Sequence, residues 1–158
     1  MAPQGRQWFR NERLAALRRK VFKRRRKKMH AEHADSDRMN NLSGRVIGCA
    51  FTVLNTLGIG FLEKVYENAL ANELRGAGLA VVQQCGVKVH YNDVVVGEYF
   101  ADLLVEDVLV VELKAVKALD DTHRMQCTNY LKATGLQLCL LLNFGKPRLE
   151  IKRMVHAL

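Results

Sequence analysis

Ala101-Asp102-Leu103-Leu104-Val105-Glu106-Asp107-Val108-Leu109-Val110-Val111-Glu112-Leu113-Lys114 is the stretch on which the fold turns. Its two halves are apolar runs of strand length, and Glu106-Asp107 between them makes a tight turn, so the halves pair as antiparallel neighbours. Period-two alternation places Glu98, Phe100, Asp102 and Leu104 on one face of the first strand, and Glu112 with Lys114 on one face of the second. Asp102 and Glu112 therefore project close together, with Lys114 two residues along. Two carboxylates and an ammonium within an apolar strand pair are costly to bury without partners. A hard cation, Mg2+ or Mn2+, would offset the repulsion and take oxygen ligands from both carboxylates. The lysine would then orient or deprotonate an attacking water and counter charge building on a phosphate. The competing reading is a structural Glu112–Lys114 ion pair with Asp102 elsewhere on the surface, and the spacing alone does not separate the two.

Outward from this stretch, Ala80–Tyr91 and Val94–Val105 read as strands joined at the turn-prone pair Asn92-Asp93, and Val108–Val116 as a third. Asp120-Asp121-Thr122 forms the N-cap region of a helix that runs to about Ala133 and is closed by Gly135. Gln137–Phe144 and Arg148–Val155 are two further strands, linked through Gly145-Lys146-Pro147. On the N-terminal side the pattern is helical from about Asn40 to Gly76, with a break at Leu57-Gly58-Ile59-Gly60. The second of these helices starts near Phe61 and sets Glu63, Tyr66 and Leu70 on one face. The order α, α, β, β, β, α, β, β predicts a mixed α/β domain with a central sheet flanked by helices. On the later helix His123, Gln126 and Tyr130 share a face. An amide and a phenol there can bond a phosphate or a water, or else cap and pack the helix against the sheet.

The 158 residues fit one domain with a single core, and 49% hydrophobic residues exclude a wholly disordered chain. The net charge of +9 resides in residues 1–38, which hold 13 Lys and Arg against 4 Asp and Glu; the 12 basic and 12 acidic residues that follow cancel. Runs such as Lys23-Arg24-Arg25-Arg26-Lys27-Lys28 repel one another, so the expected organisation is a disordered or lone, fraying helical extension over 1–38 and a domain over 39–158. That extension is an arm for nucleic-acid phosphates, a solvated tail, or sequence upstream of a true start at Met39, three readings of equal standing. Cys49, Cys85, Cys127 and Cys139 lack metal-binding spacing and read as reduced thiols of a cytoplasmic protein. The N-terminus has no secretory h-region. The uncharged run Val46–Leu62 is shorter than the roughly 20 residues a membrane span needs and includes Gly48, Asn55, Gly58 and Gly60. Its Ile47, Ala50, Phe51, Leu54 and Leu57 fit one face of a water-soluble helix instead.

An Asp followed by Glu-x-Lys on the next strand resembles the PD-(D/E)XK nuclease superfamily, and Gln126-Cys127-Thr128-Asn129-Tyr130 is similar to the QxxxY signature of its RecB-like branch. Gly60-Phe61-Leu62-Glu63-Lys64-Val65-Tyr66 resembles the signature of the GxxExxY protein family within it. The similarity spans about residues 40–155. It implies a restriction-endonuclease-like α-β-β-β-α-β core, with Asp102 and Glu112 as metal ligands and Lys114 as the catalytic lysine. It further implies Glu63 as an additional acidic residue touching metal directly or through water, and Gln126 and Tyr130 as supports from the facing helix. Ala101 stands where the superfamily name has proline, Ile59 where the family usually has proline, and Leu54 where histidine is frequent. The implied activity is Mg2+- or Mn2+-dependent hydrolysis of nucleic-acid phosphodiester bonds, with DNA as the expected substrate and no membrane partner. The alternative is an inactive nuclease-fold module that binds nucleic acid or acts as an adaptor.

Overall fold

A computed structural model of the chain describes residues 5–156, with side chains from 19 onward. It divides into two compact units, Met1–Asn40 and Asn41–Leu158. Helix α1 runs over Gly5–Leu57, so the backbone of the basic segment is helical where described. The side chains from 19 to 38 are all exposed, as the density of like charge there requires. The side chains of Arg6, Arg10, Arg13 and Arg18, which belong to the same basic segment, lie outside the described ones.

In the second unit the end of α1 is followed by α2 (Glu63–Gly76), β1 (Val81–Tyr91), β2 (Val94–Val105), β3 (Leu109–Lys114), α3 (Asp121–Thr134), β4 (Leu138–Asn143) and β5 (Glu150–Val155). The strands form one sheet in the order β1-β2-β3-β4-β5. All neighbours are antiparallel except β3 and β4, which run parallel because α3 carries the chain back between them. The result is the expected mixed α/β architecture, with α2 against β1–β3 and α3 against β1 and β3–β5.

Local chemistry explains the boundaries. Asn92-Asp93 and Glu106-Asp107 all take positive φ, between 46° and 63°, the conformation that two-residue hairpins need to match strand twist. Asp120 accepts from the His123 N–H while His123 Nδ1 accepts from the Asp120 N–H, a reciprocal cap at the start of α3. Gly135, at φ 72°, ends the helix in the left-handed region. Helix α2 begins at Glu63, two residues later than expected, because Gly58 and Gly60 hold a loop with φ of 72° and 107° before it. The buried stripe of α1 also differs from expectation. Leu42, Val46, Ala50, Val53 and Leu54 are buried at helical spacing, whereas Phe51 is 41% exposed. Among the described residues no helix is long and apolar enough to cross a membrane.

The strands β3 and β4 are buried almost throughout, as the centre of a sheet covered by helices must be. Val87, Ala101, Val110, Cys139 and Leu141 pack with Cys127, Tyr130 and Leu131 of α3. On α2, Tyr66, Leu70 and Leu74 are fully buried, and the Tyr66 ring stacks on Phe144 at a centroid distance of 4.8 Å. The polar residues buried against this apolar background are Glu67, Asp102, Glu112 and Asn143, together with Ser43.

Candidate active site

The ladder between β2 and β3 is short: Val105 pairs with Leu109, Leu104 with Val110 and Leu103 with Val111, and there it stops. The next pair in register would be Asp102 with Glu112. Here side chains take over the main-chain bonding. The Leu113 N–H donates to Asp102 Oδ2 at 2.8 Å, and the Asp102 N–H reaches Glu112 Oε2 at 3.5 Å. The two carboxylates thus sit in the gap where the strands separate, and Lys114 Nζ donates to Glu112 Oε1 at 3.1 Å. The sequence reading that brought Asp102, Glu112 and Lys114 together agrees with this geometry. It also contains the ion pair of the competing reading, so the pair and the site are one arrangement.

Burial raises the pKa of all three acidic groups. Glu112, 2% exposed, is pushed up to about 7, first by desolvation and then by Asp102, with Lys114 opposing. Asp102 is raised by burial and by Glu67, against the Leu113 N–H, Lys114 and Gln84. Glu63, the first residue of α2, is raised by burial, by Asp102 and by Glu67, with Lys114 and the Ala115 N–H opposing. Burial alone would lower the Lys114 ammonium, yet Glu112, Glu63 and Asp102 around it raise it overall. The two directions are compatible, because one cation is shared among three carboxylates that crowd one another. Lys114 therefore stands in this site as an ammonium, suited to holding negative charge rather than to accepting a proton.

Glu67 and Gln84 belong to the same network and were absent from the sequence reading. Gln84 Nε2 donates to Asp102 Oδ1 at 3.3 Å and to Glu67 Oε2 at 3.0 Å. Gln83 Nε2 donates to Glu67 Oε1 at 3.1 Å, and Lys64 Nζ binds the same oxygen at 2.7 Å. Consecutive strand residues ordinarily face opposite ways, and the φ of +51° at Gln84 accounts for both glutamines reaching one carboxylate. A signal for Glu67 did exist: it lies one helical turn from Glu63, on the same face of α2. For Gln84 there was none, since its partners lie 17 and 18 residues away.

Gln126 and Tyr130 meet each other. Gln126 Nε2 donates to the Tyr130 hydroxyl at 2.7 Å, and that hydroxyl donates to the Phe100 carbonyl at 3.1 Å, two residues before Asp102. Burial, then Glu112, pushes the Tyr130 phenol up to about 12, so it keeps its proton and its bond to β2. His123, on the same stretch of helix, is spent in the cap of α3. Tyr66 anchors the loop before Glu63, accepting from the Phe61 N–H at 3.3 Å and donating to the Gly58 carbonyl at 2.7 Å. At the same end of β3, Asn143 is fully buried and ties the turn after Lys114: its Oδ1 accepts from the Val116 and Gly145 N–H groups, and its Nδ2 donates to the Val116 carbonyl and to Glu150.

The donor set is entirely oxygen, which suits a hard divalent cation, and positive charge between Asp102 and Glu112 would offset the burial that raises their pKa values. Among the described residues no three Asp, Glu, His or Cys side chains are placed to hold a metal ion together, so the expected trio of Asp102, Glu112 and Glu63 is not assembled as one ligand set. Two carboxylates are nevertheless a sufficient protein contribution for an ion such as Mg2+, which retains several waters.

A family profile described as the PD-(D/E)XK nuclease superfamily matches residues 40–154. No curated protein matches the chain significantly. Among solved structures, an alkaline exonuclease from Laribacter hongkongensis aligns with a TM-score of 0.46 and 14% identity, over 60% of this chain and 56% of that one. The chain thus spans just over half the length of that structure.

Proposed function

The chain belongs to the PD-(D/E)XK nuclease superfamily, and on that premise we propose that it hydrolyses nucleic-acid phosphodiester bonds, DNA foremost, with Mg2+ or Mn2+ held by Asp102 and Glu112. Superfamily members generally use divalent metal ions. The observation that carries the proposal is the interruption of the β2–β3 ladder at Asp102 and Glu112, with the Lys114 ammonium 3.1 Å from Glu112. A structural ion pair has no need to break a sheet ladder and leave two buried carboxylates facing each other.

The bound cation would supply Lewis acidity toward the phosphate and lower the pKa of a water. The chain's own groups do the rest. Asp102, fixed by the Leu113 N–H and by Gln84, presents its carboxylate in a set orientation. Lys114 opposes charge developing on the phosphate and holds the attacking water by a hydrogen bond. Glu63, at the N-terminus of α2, adds an acidic group at the edge of the site, able to act through water. Gln126 and Tyr130 hold the Phe100 carbonyl and so the approach of β2 to Asp102. The finer assignment to the GxxExxY family and the QxxxY branch rests on Gly60, Glu63 and Tyr66 and on Gln126 and Tyr130. The loop-anchoring role of Tyr66 and the strand-anchoring role of Tyr130 support it. A cytoplasmic location is supported by four cysteines free of disulfides.

The test is a panel of labelled single- and double-stranded DNA and RNA substrates, assayed with Mg2+, Mn2+ and chelator. Cleavage is expected with metal, and Asp102→Asn and Lys114→Ala are each expected to reduce it by on the order of 100-fold or more. Undiminished cleavage by either folded variant would reject the site. Titration calorimetry with Mn2+ separates the adaptor alternative, which requires no metal binding.

A further inference from the structure

A cleft of about 840 Å3 lies between α3 and the outer half of the β1–β2 hairpin. Its floor is lined by Val87, by Tyr99 opposite it, and by Val89, whose cross-strand neighbour is Gly97. A Cβ at Gly97 would come within 3.3 Å of Tyr99 Cε2, so the missing side chain keeps the floor hollow and lets the ring lie along the strand. Met125, Asn129 and Lys132 of α3 line the other side. Tyr99 and Met125 are 56% and 62% exposed, a large apolar area left uncovered at the rim of a concavity. Gln126 and Tyr130 line the cleft as well, and Tyr130 is the group that bonds β2 just ahead of Asp102. Tyr130 is therefore shared by the wall of the cleft and the segment of β2 that leads to Asp102.

Its chemistry selects among the parts of a nucleic acid. A flat aromatic face, a thioether and two valines reward the bare face of a base. The amides of Asn129 and Gln126 can bond base edges, and Lys132 can meet one phosphate. A duplex hides base faces in its own stack and presents two rows of phosphates, for which the cleft offers little positive charge. We propose that this cleft binds unpaired nucleotides of the substrate beside the scissile phosphate, a base lying against Tyr99. The placement beside the scissile bond rests on the nucleolytic reading of Asp102 and Glu112.

The experiment measures binding by fluorescence anisotropy, with the full chain in chelator, of a labelled single-stranded DNA oligonucleotide and of the duplex of the same sequence. Tyr99→Ala and Gly97→Leu, the first removing the stacking face and the second filling the floor, are each expected to weaken single-strand binding about ten-fold. Duplex binding should stay within two-fold, and Tyr99→Phe should bind the single strand like the unsubstituted protein. Met125→Ala, at an exposed position, provides a second lining variant that leaves the fold intact. No loss in any of the lining variants, or an equal loss for both oligonucleotides, overturns the cleft's assignment. Single-strand binding that depends on Tyr99, with no cleavage under Mg2+ or Mn2+, upholds the cleft and overturns the nucleolytic reading instead.

Discussion

Glu112 holds the sharpest conflict between stability and chemistry. A carboxylate whose folded pKa, here about 7, lies above its unfolded value binds more protons when folded between those two pH values. Its contribution to stability therefore falls as pH rises through that window. With metal chelated at pH 8, Glu112→Gln keeps the shape without the charge and is expected to stabilise the fold by about 1–3 kcal/mol. Cleavage by the same variant should drop by on the order of 100-fold. Calorimetric unfolding decides it: a lower midpoint would mean that Lys114 depends on that charge more than burial penalises it. Gln84 poses a complementary case. Glycine suits φ +51°, so the relaxed backbone of Gln84→Gly should return up to about 1 kcal/mol against the loss of its two hydrogen bonds to buried carboxylates. Losing the amide that orients Asp102 should still weaken Mn2+ binding roughly 10-fold. Unchanged Mn2+ affinity by titration calorimetry would remove Gln84 from the site.

At the scale of elements, β3 has to end in one place for Lys114 to face Glu112, and Asn143 fixes that end. Its carboxamide satisfies both the N–H and the carbonyl of Val116, and the Phe144 N–H adds a bond to the Lys114 carbonyl at 2.7 Å. Asn143→Ala leaves those part-buried groups unpaired and a cavity at a fully buried position, and is expected to destabilise the fold by about 2–4 kcal/mol in urea unfolding. Gly145 explains itself by close approach, since a Cβ there would run into the Val116 backbone. Gly145→Ala should be destabilising too, and a neutral result would show that this turn can shift freely. Most elements are legible in the sequence alone. The turns at Asn92-Asp93 and Glu106-Asp107, the cap at Asp120 and the stop at Gly135 are set by neighbours along the chain. The face that α1 buries is not, because two adjacent stripes on that helix are both apolar and only packing chooses between Phe51 and Val53.

At the scale of the whole molecule, the charge is divided between a neutral domain and a basic helix whose described side chains from 19 to 38 are all exposed. If that helix contributes phosphate contacts, a chain beginning at Met39 should bind DNA more weakly at low salt and with a shallower dependence of log K on log salt. Equal slopes for the two proteins would leave the basic segment without a part in binding. The sequence by itself determined which residues of the candidate centre meet: Asp102, Glu112 and Lys114 are neighbours because one tight turn sets the register of two adjacent strands. Glu63, Gln126 and Tyr130 could be nominated from spacing and resemblance, but not their bonds. Only the tertiary structure decided that the β2–β3 ladder breaks at the carboxylates, that Gln84 bridges Asp102 and Glu67, and that Tyr130 bonds the Phe100 carbonyl. The bonds of Gln84 and Tyr130 join residues 17 to 30 positions apart across different elements, where local periodicity carries no information and packing alone selects the partner.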